Sequence, residues 1–296
     1  MEKVNDASDV TNVIPGSSGV RVLRAQILMD RARFSPGEID ARFGPDLEIA
    51  VKGYQERHQL KPTGIVDGEM WSLLNKDTDD LLINYRITPQ DIRDPLVAIP
   101  TDVQEQAKLK RMGYQTADER VAELFHISPQ LLIQLNPGKK FSTVGEEILV
   151  PRLAQATATR AARVVVSKSK RTVTALAGNG TVLAQYPATM GGPHDPLPIG
   201  SWKIANVQPN PVFYYNPERF WSARQDGSKA QLPPGPNNPA GTVWIGLSKP
   251  HYGIHGSPEP GTVRRTESFG CIRLTNWDAS NLSKMVRVGT PAILEE

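Results

Sequence analysis

Two neighbouring stretches, His255-Gly256-Ser257-Pro258 and Glu267-Ser268-Phe269-Gly270-Cys271-Ile272-Arg273-Leu274, decide how this chain is read. Cys271 is the only cysteine in 296 residues, which excludes an intramolecular disulfide and any site built on several cysteines. It follows Gly270, precedes a β-type residue, and lies 16 positions after His255. Thiol chemistry needs the thiolate, which a nearby imidazole can generate and then hold as an ion pair. A glycine before the nucleophile lets the backbone turn its N–H groups towards a developing oxyanion. Gly270 fits that need, with Ser268 and Gly256 as further oxyanion or positioning candidates. Arg273 would lower the thiol pKa and hold a substrate carboxylate. His251 and Tyr252 are weaker candidates for the surrounding shell or for substrate contact.

Two plainer readings compete. A structural cysteine wants apolar neighbours, and these flanks are polar or glycine-rich. A metal site on His251, His255, Cys271 and His194 fails on reach. Tyr252-Gly253-Ile254 reads as strand, which separates His251 from His255 by about 13 Å. The expectation is therefore no metal and no cofactor.

Outward from the motif, the texture from residue 163 onward is β. Short β-branched or aromatic runs at Arg163–Ser167, Thr172–Leu176, Thr181–Tyr186, Gly200–Ala205, Thr242–Leu247 and Gly253–His255 are separated by turns such as Gly178-Asn179-Gly180. This spacing predicts a closed or sandwiched all-β domain. Residues 206–241 carry seven prolines and the aromatics Phe213, Tyr214, Tyr215, Phe220 and Trp221. Such a long connection is either a lid or a proline-pinned excursion.

The motif resembles the catalytic signature of the L,D-transpeptidases. Their YkuD-type domain has a His followed 14–17 residues later by Ser/Thr-His-Gly-Cys. The likeness extends through Lys249-Pro250-His251-Tyr252-Gly253-Ile254-His255-Gly256, through Cys271-Ile272-Arg273-Leu274-Thr275-Asn276-Trp277-Asp278, and through Met190-Gly191-Gly192 with Pro196-Leu197-Pro198-Ile199-Gly200. Phe269 stands where the family has a second histidine, and a phenyl ring can neither take nor give a proton. The resemblance implies a cysteine acyltransferase with Cys271 as nucleophile and His255 as general base. Its thiolate attacks the peptide bond before the terminal D-Ala of a peptidoglycan tetrapeptide stem, forming a thioester that an amine resolves. It also implies that carbapenems trap the cysteine. The alternative is a weak or inactive peptidoglycan-binding envelope protein, because of Phe269. A papain-type peptidase fits less well, since there the cysteine precedes its histidine.

The N-terminal half is read as two modules. Residues 1–18 are polar and predict a flexible leader. Leu23, Ile27 and Phe34, then Leu47, Ala50, Val51, Tyr54 and His58, follow helical spacing, and Asp67 is a good N-cap before Trp71 and Leu74. His58 is expected to pack on the apolar stripe. With Gly37-Glu38-Ile39-Asp40 and Thr63-Gly64-Ile65-Val66-Asp67, residues 19–77 resemble the three-helix peptidoglycan-binding domain. Residues 78–153 read as strand, helix, helix, strand, with Ser128-Pro129 as a start signal and Asn136-Pro137-Gly138 as a stop. That order resembles a LysM glycan-binding module, although about 28 residues separate its first strand from its first helix, far more than is usual there. Residues 154–162 are small and unpatterned, a linker, and 163–296 form the catalytic domain. The predicted fold class is multidomain α+β: a small three-helix bundle, a LysM-like βααβ module and a mostly-β YkuD-type domain.

Composition agrees with this picture. Hydrophobic residues are 39% and charged residues 22%, enough to bury real cores. No apolar run is long enough for a transmembrane segment. The first residues carry no basic region followed by an apolar stretch, so no signal peptide is read there. Net charge is −2 over residues 1–77, −1 over 78–160 and +6 over 161–296. The basic C-terminal part has no Lys/Arg run with interleaved aromatics, which argues against nucleic acid. The expected partners are peptidoglycan stem peptides and glycan, with an acceptor protein or a D-amino acid as further acceptors. The expected place is the periplasm or bacterial cell envelope.

Overall fold

A computed structural model describes residues 2–154, 159–219 and 228–296. The first unit opens on α1 (Glu2–Asn5) and holds α2 (Val20–Arg31), α3 (Pro45–Arg57) and α4 (Gly68–Leu74). Local chemistry sets these ends. Pro45 occupies the first turn of α3, where a missing N–H costs nothing, and the Asp67 carboxylate accepts the Met70 N–H at 3.0 Å to cap α4. Trp71 is wholly buried and donates its indole N–H to the Thr11 carbonyl at 3.0 Å.

Two expectations change here. The stretch read as a flexible leader is tied down: Val4 is 5% exposed, and Val13 and Val66 exchange backbone hydrogen bonds of 2.9 and 3.0 Å. Isolated valines in a polar stretch carry no period, so their burial against α2 and α4 was invisible. His58 is exposed rather than packed. The helix stops at Arg57, His58 becomes its C-cap, and its ring only leans on Tyr54 at 4.4 Å.

The second unit runs β1 (Leu82–Arg86), α5 (Val103–Ala107), α6 (Ala117–Leu124), α7 (Pro129–Leu135) and β2 (Glu147–Pro151). β1 and β2 pair antiparallel, from Leu82 opposite Pro151 to Arg86 opposite Glu147. A capping box between Thr116 and Glu119 starts α6, and the Ser128 hydroxyl accepts the Leu131 N–H to start α7. One hydrophobic core runs through the first two units, from Val4 to Val150. Ile39 cements them, donating to the His126 carbonyl at 2.8 Å and accepting from the Ser128 N–H at 3.0 Å.

The third unit has its own core, from Val164 to Leu294. Its strands are β3 (Arg163–Ser167), β4 (Thr172–Leu176), β5 (Val182–Pro187), β6 (Gly200–Pro209), β7 (Phe213–Tyr215), β8 (Ala230–Leu232), β9 (Val243–Leu247), β10 (Gly253–His255) and β11 (Ile272–Arg273). They are followed by α8 (Asn276–Met285) and β12 (Pro291–Glu295). Eight strands form one sheet in the order β11-β10-β9-β6-β12-β3-β4-β5. Beyond β5, Thr189 exchanges two 2.9 Å backbone hydrogen bonds with Arg273 of β11. The two edges therefore meet and the sheet curls shut, which satisfies edge groups that would otherwise face water.

In the 206–241 excursion, β7 and β8 pair with each other. Pro234 accepts the Met112 N–H, Asn237 donates to the Met112 carbonyl, and its amide reaches Gly113 and Glu119. The insertion of the second unit thus pins the excursion's C-terminal half. Phe220 and Trp221 lie outside the described residues.

The three units meet around α8. The Ser35 hydroxyl donates to Asp278 at 2.8 Å, His126 pairs with Asp30 at 2.9 Å, and the His126 ring stacks on Trp277 at 5.1 Å. Burial pushes the Asp278 carboxyl up from 3.8 to about 7. A carboxyl whose folded pKa is raised supports the fold below its unfolded value, and that support drains away as pH climbs towards the folded one. The window is pH 4 to 7, and about 3 units correspond to roughly 4 kcal/mol. Asp278→Asn, which keeps an acceptor for Ser35, should therefore melt higher than the wild type at pH 8, with the gap closing by pH 4. Urea melts at the two pH values check this; a gap that does not change with pH would contradict it.

Candidate active site

Strand pairing brings the two key residues together. β10 and β11 run parallel, with His255 opposite Arg273 and Ile254 opposite Ile272. Cys271, one residue ahead of β11, thus sits at the adjoining strand end. Cys271 is half-buried and His255 is 6% exposed. The imidazole is held twice. Its Nδ1 lies 2.7 Å from the Gly256 carbonyl, which as an acceptor fixes the proton on Nδ1 and leaves the Nε2 lone pair as a base. Its face stacks on Trp244, the residue opposite it in β9, with centroids 5.5 Å apart. Gly253 makes room for that indole, since a Cβ there would come within 2.6 Å of the ring.

The thiol does not hydrogen-bond the imidazole in this state. Its Sγ lies 3.6 Å from the His251 backbone carbonyl. Burial pushes the Cys271 thiol up to about 11, against the pull of the Gly253 N–H and the Arg273 guanidinium. Burial likewise pushes His255 down to about 4, opposed by its bond to Gly256. Both directions favour the uncharged thiol and imidazole over the ion pair in the resting site. Desolvation disfavours both charges, and motif spacing carries no information about it.

The supporting residues fall into place around Cys271. Gly270 has φ +92°, and a Cβ there would press within 2.9 Å of the Tyr252 ring. The Ser268 hydroxyl donates to the Cys271 carbonyl, and its backbone N–H donates to Met190 at 3.0 Å. Arg273 Nη2 donates to the Glu267 carbonyl at 2.5 Å and to Thr266 at 3.3 Å. That guanidinium is thus engaged in bracing the 266–267 loop, while its buried Nε has no partner among the described residues. His251 contributes its carbonyl; its own side chain is exposed. Phe269 is 41% exposed, so the ring replacing the motif histidine stands at the surface.

Sequence reasoning passed over two contributors. Trp244 looked like one more strand aromatic, and only the β9–β10 register puts it on the imidazole. Asn276 belonged to the quoted likeness but had no role; its Oδ1 accepts the Thr242 N–H at 3.0 Å and lies against Gly256. A cavity of about 500 Å³ opens between the units, lined by Glu123, Glu259 and Trp277 among others.

The L,D-transpeptidase catalytic domain (YkuD) matches residues 161–294, and a peptidoglycan binding domain matches residues 18–74. The chain is 32% identical to L,D-transpeptidase YkuD of Bacillus licheniformis over 174 residues, 58% of this chain and 89% of that protein. It is 32% identical to L,D-transpeptidase YkuD of Bacillus subtilis over 171 residues, 57% of this chain and 88% of that one. Among solved structures, an L,D-transpeptidase from Mycobacterium smegmatis matches with TM-score 0.37 at 23% identity, over 52% of this chain and 65% of that chain.

Proposed function

Because this chain belongs to the L,D-transpeptidase family, we propose that it is an active peptidoglycan L,D-transpeptidase with Cys271 as nucleophile and His255 as general base. The observation that carries the reading is the parallel pairing of β10 with β11, with Nδ1 of His255 tied to Gly256 so that Nε2 is left basic. As the stem's carbonyl arrives, Nε2 takes the thiol proton and the sulfur attacks the carbonyl before the terminal D-Ala. The oxyanion forms beside the N–H groups of Gly270 and Cys271, a contribution of about 3 kcal/mol in comparable sites. The imidazolium then protonates the departing amine, leaving a thioester on Cys271. An amine acceptor loses its proton to His255, attacks the thioester and releases the thiol. The net change is exchange of one amide for another, with no redox step.

An amine of a neighbouring stem as acceptor would give a cross-link. A protein amine, a D-amino acid or water would give attachment, exchange or hydrolysis. The peptidoglycan-binding domain would hold the enzyme on its polymer, in the periplasm or envelope. The second unit would add glycan contact if it acts as a LysM module. No helix among the described residues is long and apolar enough to cross a membrane. One observation favours a second reading, a binding protein without turnover: Phe269 in place of the motif histidine.

The test is incubation with a carbapenem followed by intact mass, beside a Cys271→Ala control. A one-to-one adduct absent from the control is the expected result. No adduct, with iodoacetamide still labelling Cys271, would overturn the enzyme reading in favour of the binding protein.

A further inference from the structure

We infer that Glu123, on α6 of the second unit, is a positioning residue for His255, so that this unit completes the catalytic centre rather than serving only as a wall tether. The inference rests on the acyl-transfer reading of Cys271 and His255. The connection is short and continuous. Glu123 Oε2 accepts from Asn276 Nδ2 at 2.8 Å, and Glu123 Oε1 accepts from the Tyr114 hydroxyl at 2.8 Å. Asn276 is 2% exposed, and the same Nδ2 also donates to the Pro236 carbonyl at 3.1 Å. With both amide protons committed, the side chain cannot flip, and Oδ1 must face the other way. There it accepts the Thr242 N–H and fills the space between Gly241 and Gly256, where neither could carry a Cβ. Gly256 is the residue whose carbonyl holds the His255 imidazole.

Asn276 also begins α8 just after β11, the strand that Cys271 leads into. It therefore meets the base's turn and follows the nucleophile's strand. Sites of this kind depend on second-layer hydrogen bonds to fix a base, and a displacement of 1 Å can cost up to about 100-fold in rate. Glu123 closes the set from a module 153 residues away in sequence. The contact needs this chain's particular docking of modules.

The experiment compares Glu123→Ala, Glu123→Asp and Glu123→Gln by the rate of carbapenem acylation over a range of drug concentration. Gln keeps an oxygen at the reach of Asn276, whereas Asp withdraws its carboxylate by about 1.5 Å, the length of one C–C bond. The maximal acylation rate should fall about tenfold in the Ala and Asp variants, with the half-saturating concentration unchanged, and return to within about threefold of wild type in Gln. An Asp variant as fast as wild type, or a Gln variant as slow as Asp, overturns the inference. Should the Ala variant fail to fold, the Asp and Gln pair decides alone. A second readout is independent of turnover. The His255 Nδ1 proton, held by Gly256, should give a slowly exchanging imidazole N–H resonance in wild type and Gln, and a rapidly exchanging one in Asp. If the wild type forms no adduct, the proposed function fails, while this resonance still supports or overturns the role of Glu123.

Discussion

Cys271→Ser should fold as the wild type does and lose carbapenem acylation by a factor of about 1,000 or more. Oxygen replaces sulfur with little change of shape at a half-buried position, so the packing cost is small. The chemical cost is large. Burial holds the thiol at about 11 and the imidazole at about 4. Moving the proton between them in the resting site is therefore uphill, because burial disfavours both of the charges that the transfer creates. Only a reaction that forms the carbon–sulfur bond and the oxyanion as the proton leaves can offset that. A hydroxyl is a much weaker acid than a thiol, and each further unit costs another tenfold in rate. Intact mass against time, with a thermal melt as folding control, reads both halves of the expectation. A serine variant acylated at the wild-type rate would remove Cys271 from the nucleophile's role.

The same two pKa directions mark where sequence reasoning stops. Residue order placed a histidine, a glycine and a cysteine in a pattern that suits nucleophilic chemistry, and pairing of β10 with β11 brings them together. It also located Arg163–Ser167, Thr172–Leu176 and Gly253–His255 to the residue, because alternation and turn residues are local signals. The caps Asp67 and Ser128 were legible for the same reason: each acts on a backbone N–H three residues ahead. Sheet order was not. Nothing near Thr189 announces that it meets Arg273 and closes the sheet, since the information lies in how eight strands curl together. Ionisation was hidden too, because desolvation is a property of what surrounds a group. The same holds for Val4, buried by helices that follow it, and for Asn276, whose partner Glu123 belongs to a different unit.

Gly191→Ala should combine a stability loss of about 1–3 kcal/mol with a fall of about 100-fold in acylation. Gly191 pairs with Ser268 and packs against Gly270, beneath the Gly270-Cys271 turn. An added Cβ would collide with the backbone carbonyl of Asp195 and come within 2.9 Å of Gly270 Cα. Both obstacles are backbone, so relief requires the 192–199 loop or the Gly270-Cys271 turn to move. The turn has little freedom, with the Ser268 hydroxyl bonded to the Cys271 carbonyl and its N–H to Met190. A shift there re-aims Sγ and the N–H groups proposed for the oxyanion, which is why activity should fall further than stability alone explains. Gly192→Ala is the comparison. A Cβ at Gly192 meets only the carboxylate end of Glu267, a flexible side chain that can swing aside. Gly192→Ala should therefore keep its melting point within a few degrees and acylate at close to the wild-type rate. Equal behaviour of the two variants would show that close packing beneath the turn does not set the geometry of Cys271. The expected split would show that an unreactive segment, 80 residues before the cysteine, fixes where its sulfur points.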